Sequence, residues 1–358
     1  MTATVLERTE QKTETVRRTA PRTREDVLTL VGAGVGSLAT TWLVYTKLLP
    51  LHGTIGFVVL GCAVFVAYYA GMTALTRPWP VVADRIVTAL VVAAPTLVGL
   101  ALASTIISTA IKGAPALFHG NFFTDDMAGV RPGDEFSMGG ALHAMAGTLI
   151  EVAIAVSIAM PLGVITAIYM SEVGGRLARL VRVVIEAMTA LPSIVAGLFI
   201  YAVLIVNLHF PSSGFAAALA LAVMGLPIMA RASDVVLRVV PGGLREASYA
   251  LGAGKLQTVW HVVLPTARPG LATALILGIA RMVGETSPLI LTSGASTFMN
   301  ADPFHNPMNS LPLFIYSAVG SGDPRFAQRG FAAATVLLTL VLALFLLARL
   351  VVRTKKAP

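Results

Sequence analysis

The sequence predicts an all-α, polytopic transmembrane helical bundle of about eight spans. Three observations predict it. The 358 residues are 56% hydrophobic and only 12% charged, about half the charge content of a soluble domain (about 25%). Eight apolar runs approach the roughly 20 residues a helix needs to cross a bilayer. Those runs are continuous rather than alternating, and only helices and closed barrels satisfy their own backbone groups in lipid, so the spans are helices.

The first 26 residues are mixed in charge and offer little to bury, which predicts a disordered cytoplasmic tail. They are too long, and the apolar run after them too extended, for a cleaved leader. Spans follow at about 28–49, 54–75 and 86–111, making residues 27–111 a three-helix N-terminal region. The single cysteine, Cys62, lies in the second of these and excludes disulfides and thiolate metal sites. Residues 112–142 read as an extracytoplasmic segment with the aromatic patch "FHGNFF" and the acids Asp125, Asp126, Asp134 and Glu135. Five more spans, at about 143–170, 186–207, 214–230, 270–293 and 330–352, form a core over 143–352. Small residues such as Gly163, Ala196 and Gly197 allow close helix approach there. Within the external connection 294–329, the run Leu311-Pro312-Leu313-Phe314-Ile315 predicts a short helix lying at the outer interface. Residues 353–358 form a second cytoplasmic tail.

Charge sets the orientation, because cytoplasmic loops collect Lys and Arg. With the N-terminus inside, 20 of the 26 basic residues fall in cytoplasmic segments, five fall outside, and Arg281 remains within a span. Both termini are then cytoplasmic. The net charge of +8 is a topological signal, and no basic run with interleaved aromatics argues for nucleic acid.

The stretch "LREASYALGAGKLQTVWHVVLP" at 244–265 is too polar to cross a membrane and too apolar for an idle loop. Pro241, Gly242 and Gly243 break the chain before it, Gly252 and Gly254 break its middle, and Pro265 is expected to stop it. Leu256, Val259, Trp260 and Val263 follow helical spacing in its second half. The expectation is a cytoplasmic helix–turn–helix whose apolar face meets the membrane surface, the bundle or a partner's groove. Glu246 is expected near a helix start, where the dipole favours an acid.

Beyond it, "ARMVGETSPLILT" at 280–292 carries Arg281 and Glu285 into a span. Each charge costs roughly 2.5–3.5 kcal/mol near a span centre unless paired or wetted. At i, i+4 the two share a helix face and can pair. Thr286 and Ser287 add hydroxyls, and a guanidinium fork suits an oxyanion. Chemistry alone leaves two readings open, an anion pathway or an ion pair that stitches helices together. Glu186, four residues after Arg182, is expected to pair with it. Glu151 has no local partner and is expected to reach Arg281 from another helix or to face a companion subunit. Ser193, beside Pro192, sits where a broken helix frees backbone groups toward a cavity.

The pattern Glu-Ala-small-x3-Gly-x9-aliphatic-x-Leu-Pro, met by Glu246, Ala247, Ser248, Gly252, Val262, Leu264 and Pro265, resembles the signature loop of ABC-importer permeases. Together with "LPSIVAGLF" (191–199), "LPIMARAS" (226–233), "ARMVGETSPLILT" and "NSLPLFIYSAV" (309–319), it makes the chain resemble the phosphate-specific permease of the A type over about 143–352. The resemblance implies a coupling loop docked on two separate ATPase subunits, a homologous permease partner and an extracytoplasmic phosphate-binding protein. It also implies a bacterial inner-membrane location, and charged groups at Arg281 and Glu285, with Thr286, on the substrate path. This chain has no Gly-x4-Gly-Lys-Ser/Thr loop, and "GAGVGS" at 32–37 lies inside a span. No cofactor is therefore expected on this chain, and ATP and Mg would be held by the partner subunit. The spans at 28–49 and 54–75 are extra to the six expected. An importer of another oxyanion, such as molybdate or sulfate, an ion-coupled secondary transporter, and a scaffold with a purely structural ion pair remain alternatives.

Overall fold

The computed structural model describes residues 24–49 and 53–353. The predicted tails lie almost wholly outside the described residues, although the first helix already begins at Arg24. The described residues are helical, with one isolated bridge, Gly294 to Met308, and no strand. The chain divides into two compact units, Met1–Ala103 and Ser104–Pro358.

In the first unit α1 (Arg24–Leu43) and α2 (Thr54–Ala74) pack along each other, and α3 (Trp79–Leu117) begins here and continues past the division. Thr40 Oγ1 meets the Tyr68 hydroxyl at 3.0 Å, and the Tyr45 hydroxyl donates to the Gly53 carbonyl. Asp26 pairs with Arg85, with Arg77 4.0 Å away. One acid and two bases at the ends of apolar helices partly neutralise one another.

The second unit is built around α8 (Gly214–Val239). Its alanines Ala216, Ala217, Ala218, Ala220 and Ala222 are buried on several sides, so other helices approach it all round. The Ser213 hydroxyl caps its start by accepting the Ala216 N–H. Helix α5 (Leu142–Ile168) packs along α8, and α11 (Leu264–Val283) and α14 (Pro324–Arg353) close the bundle. Met229 of α8 lies between Gly163 of α5 and Gly278 of α11; a Cβ on Gly278 would stand 2.5 Å from Met229 Cε, and one on Gly163 would stand 3.0 Å from Met229 Cβ and 3.1 Å from the Ala230 nitrogen. The helices come this close to α8 because neither glycine carries a side chain.

Among the described residues seven helices are long and apolar enough to cross a membrane, or eight if one bent pair counts as a span. That pair covers the expected span 186–207, whose break beside Pro192 is sharper than a kink. Here α6 (Gly175–Thr189) and α7 (Ser193–Ile200, extended by a π turn Tyr201–Asn207) meet at 102°. Pro192 lacks an N–H and drives Leu191 out of the helical region, so α6 stops at Thr189. The expected span 270–293 also differs. The crossing runs from Lys255 to Val283, and the chain breaks at Gly284 before the six-residue α12 (Ser287–Thr292), because Pro288 can start a helix but not continue one. The short helix near 311 exists as α13 (Leu311–Gly320), with Tyr316 and Val319 exposed and its other face buried. Leu311, Leu313, Phe314 and Ala318 are buried, because α14 folds back over one side of α13 and α5 meets it as well.

Candidate functional site

The hairpin forms as α9 (Gly242–Ala250), a turn, and α10 (Lys255–Thr258). Gly252 holds the turn at φ +84°, a conformation that costs other residues roughly 1 kcal/mol or more. Its N–H donates to the Tyr249 carbonyl and that of Ala253 to the Ser248 carbonyl. The hydroxyls of Ser248 and Thr258 meet at 2.9 Å and tie the two arms. Pro265 does not end the hairpin. It has no N–H for the His261 carbonyl, and the chain absorbs the defect in a π turn at Val259–Val263. Leu264 and Pro265, both half-buried, open α11, so α10 and the membrane helix form one continuous rod. Glu246 is also displaced from expectation. It stands in the middle of α9 and is exposed, as is Ala247.

The base of this rod is fixed by a residue that spacing could not single out. Arg245 donates to Glu172 Oε1 at 2.8 Å, to the Val240 carbonyl at 2.7 Å and to the Leu237 carbonyl at 2.8 Å. It satisfies orphan carbonyls at the end of α8 and joins them to the end of α5. Val259 and Val263 turn inward, and Val263 packs among Ala167, Leu237, Val240, Ala267 and Leu271. The other face stays bare: Leu251 is 89% exposed, Leu256 72% and Trp260 61%.

Higher in α11, Arg281 Nη2 lies 3.4 Å from Glu285 Oε1, the expected i, i+4 pair. The Arg281 side chain is 58% exposed and that of Glu285 15%, so the guanidinium keeps open directions while the carboxylate is tucked in. Thr286 and Ser287, half-buried, begin α12. Helix α7 meets α12 where the backbone of Pro288 presses on Gly197. Ser193 lies one turn from that contact, beside the α6–α7 bend, and its hydroxyl has no hydrogen-bond partner among the described residues. The structure thus gathers Arg281, Glu285, Thr286 and Ser287 on one broken stretch and brings the helix of Ser193 against it.

Two expected pairings are replaced. Arg182 turns to Asp234 of α8, at 3.5 Å, rather than to Glu186. Glu151 is buried and does not reach Arg281: its Oε1 lies 2.7 Å from Ser293 Oγ, which also meets the Met308 carbonyl at 2.7 Å. Around it the Leu311 N–H donates to Thr148 Oγ1. The α5 end is thereby sewn to the 293–311 connection, at the end of the bundle opposite the hairpin.

That opposite end carries another buried charge. Arg329 of α14, 1% exposed, donates to the carbonyls of Glu135 at 2.6 Å and Met138 at 2.8 Å, between the rings of Phe136 and Phe326. Asp126 accepts N–H groups from Ala128 and Met299, and these bonds hold its carboxyl below the ordinary carboxylate range.

Residues 159–356 match the family described as "Binding-protein-dependent transport system inner membrane component". The chain is 40% identical over 241 residues to the phosphate transport system permease protein PstA 1 of Mycobacterium tuberculosis (strain CDC 1551 / Oshkosh), covering 67% of this chain and 79% of that protein. To the phosphate transport system permease protein PstA of Pasteurella multocida (strain Pm70) it is 34% identical over 242 residues, covering 67% and 83%. Among solved structures, an inward-facing MetNI methionine ABC transporter chain superposes with a TM-score of 0.48 at 24% identity, covering 60% of this chain and 93% of that one.

Proposed function

Since the chain belongs to the PstA family of binding-protein-dependent transport permeases, we propose that it is a membrane-spanning permease subunit of an ATP-driven importer of inorganic phosphate. It forms the translocation path with a homologous permease and takes its motion from two separate ATPase subunits. The hairpin end faces the cytoplasm together with both termini, and an extracytoplasmic phosphate-binding protein delivers the anion to the opposite end.

The observation that carries this reading is the hairpin's construction. Leu256 and Trp260 are exposed on a rod continuous with the helix that bears Arg281, and Leu251 is exposed at the turn that precedes it. An apolar row on a rigid arm is a docking surface for a partner's groove, and a rigid arm carries displacement from that groove into the membrane. Glu246, Ala247, Ser248, Gly252, Leu264 and Pro265 act as its coupling residues: Ser248 ties the arms, Gly252 shapes the tip, and Leu264 with Pro265 joins arm to span. ATP and Mg are held by the ATPase partners.

On the path, the free directions of the Arg281 guanidinium offer a fork of N–H donors to phosphate oxygens. Glu285 occupies one edge of that fork, orients it and tempers its attraction, so the anion is released. Thr286, Ser287 and Ser193 supply hydroxyl donors along the break. Phosphate passage requires no bond to be made on this chain.

Co-purification with the ATPase and permease partners, followed by phosphate-dependent ATPase measurement in vesicles, tests the assembly. Arg281→Ala should lower phosphate uptake by at least about 100-fold, the worth of a lost charge-assisted bond or two, while complex assembly and ATP binding persist. Wild-type uptake by that variant would refute the role given to Arg281.

A further inference from the structure

Helix α6 has three distinct sides. Ala178, Arg182 and Ile185 face the bundle, where Ala178 and Ile185 are buried and Arg182 bonds to Asp234. A second side shows Leu177, Leu180 and Val184, which are 59%, 58% and 49% exposed. The third shows Arg176 and Arg179, both exposed and without an ion pair among the described residues, with the exposed Val183 between them and Glu186 the only acid of the helix, close to its end. Sides of this composition side by side are the pattern of a helix lying in a membrane boundary.

The bend fixes the helix's attitude. Helix α7 and its π turn hold eight and seven residues, a rise of about 20 Å. That falls short of the roughly 30 Å hydrocarbon layer. If α7 runs across the membrane, a 102° turn lays α6 nearly in the membrane plane, a few ångströms inside one boundary. Because Arg182 pairs with Asp234 in the last turns of α8, α6 lies at the same end of the bundle as the hairpin.

We propose that α6 is an interfacial helix that binds anionic phospholipid, with Leu177, Leu180 and Val184 among the upper acyl chains and Arg176 and Arg179 on the headgroup phosphates. The charge favours this occupant. Two unpaired guanidinium groups beside an apolar stripe match a leaflet rich in anionic headgroups, whereas a protein partner would leave them to be paired by its own acids. The assignment of the leaflet rests on the hairpin end being cytoplasmic.

The test uses the full chain, with Cys62→Ala, reconstituted alone and with its ATPase and permease partners. The vesicles contain phosphatidylcholine with or without phosphatidylglycerol. Thiol probes on Leu180→Cys and Val184→Cys should be quenched by brominated lipid and shielded from an impermeant reagent in both preparations, while Arg176→Cys and Arg179→Cys react with it. Replacing each arginine by Gln should lower the preference for brominated phosphatidylglycerol at position 180 about fivefold. Two outcomes overturn the proposal: positions 180 and 184 open to water, or shielded only when the partners are present, which makes the face a protein contact. Unchanged lipid preference in the Gln variants removes the headgroup role. A probe on Leu251→Cys in the same vesicles reports the hairpin's side independently, so an error in orientation is separable from an error about α6.

Discussion

The two ends of the C-terminal unit solve the same problem in opposite ways. Each must finish several helices and turn the chain in water. At the 121–139 and 293–309 end the polar side chains are spent on backbone: Arg329 on two carbonyls, Asp126 on two N–H groups, and Asn300 Nδ2 on the carbonyls of His305, Asn306 and Pro307. At the hairpin tip a single hydroxyl pair ties the arms, and the large apolar side chains Leu251, Leu256 and Trp260 point away from everything. The first end spends its donors mainly on its own backbone, although both His143 ring nitrogens, the Ser310 hydroxyl and Arg329 Nη1 stay buried without a partner among the described residues. An end that leaves indole and isobutyl groups in water is complete only when something covers them.

The sharpest way to break this contrast is at Arg329. Arg329→Ala removes two charge-assisted hydrogen bonds, to the Glu135 and Met138 carbonyls, at about 1.5–3 kcal/mol each, so the opposite end should lose roughly 4 kcal/mol in thermal unfolding of the detergent-solubilised protein. At the hairpin base, Arg245→Ala strands the nearly buried Glu172 and should cost about 3 kcal/mol, most of it recovered by adding Glu172→Leu. If the double variant is no more stable than the single one, the pair is not what fixes the arm. Trp260→Ala should behave differently from both: stability within about 0.5 kcal/mol of the parent, but ATPase association weaker by about 2 kcal/mol, roughly thirtyfold, read by titration in vesicles. A fall in stability there instead would mean that the tip already packs on its own chain.

The smallest effect separates the ends by pH. Because Asp126 is held below its ordinary range in the folded chain, its contribution is complete above the unfolded value, about pH 4. It is lost only as pH falls through the lower folded value. Hydrogen exchange of Ala128 and Met299 should therefore stay slow from neutral pH to about pH 4 and quicken below it, while Asp126→Asn removes the step. A quickening already near neutral pH would contradict the bonding described for Asp126.

What the sequence disclosed follows the range of each interaction. Apolar runs, the hairpin and the Arg281–Glu285 pair are local, written within a few residues of themselves, and all three are found. Arg245 and Glu172 are 73 residues apart, and no spacing rule joins them. Arg182 had an acid four residues away and took another from α8, because Arg182 faces the bundle and Asp234 while Glu186 is exposed. The α6–α7 bend was half visible: Pro192 marked a break, but nothing local gives its angle of 102°. Pro265 misled in the other direction, since a π turn absorbs the missing donor and lets the helix continue.

Met229 carries a last consequence. Its end lies against Gly278 and its Cβ against Gly163, and its thioether chain has three torsions and no branch. A branched side chain would lock that crossing at a single offset. An unbranched one can refold within its slot as the slot changes shape, so the three helices can slide past one another without opening a void, as shafts do on a compliant bearing.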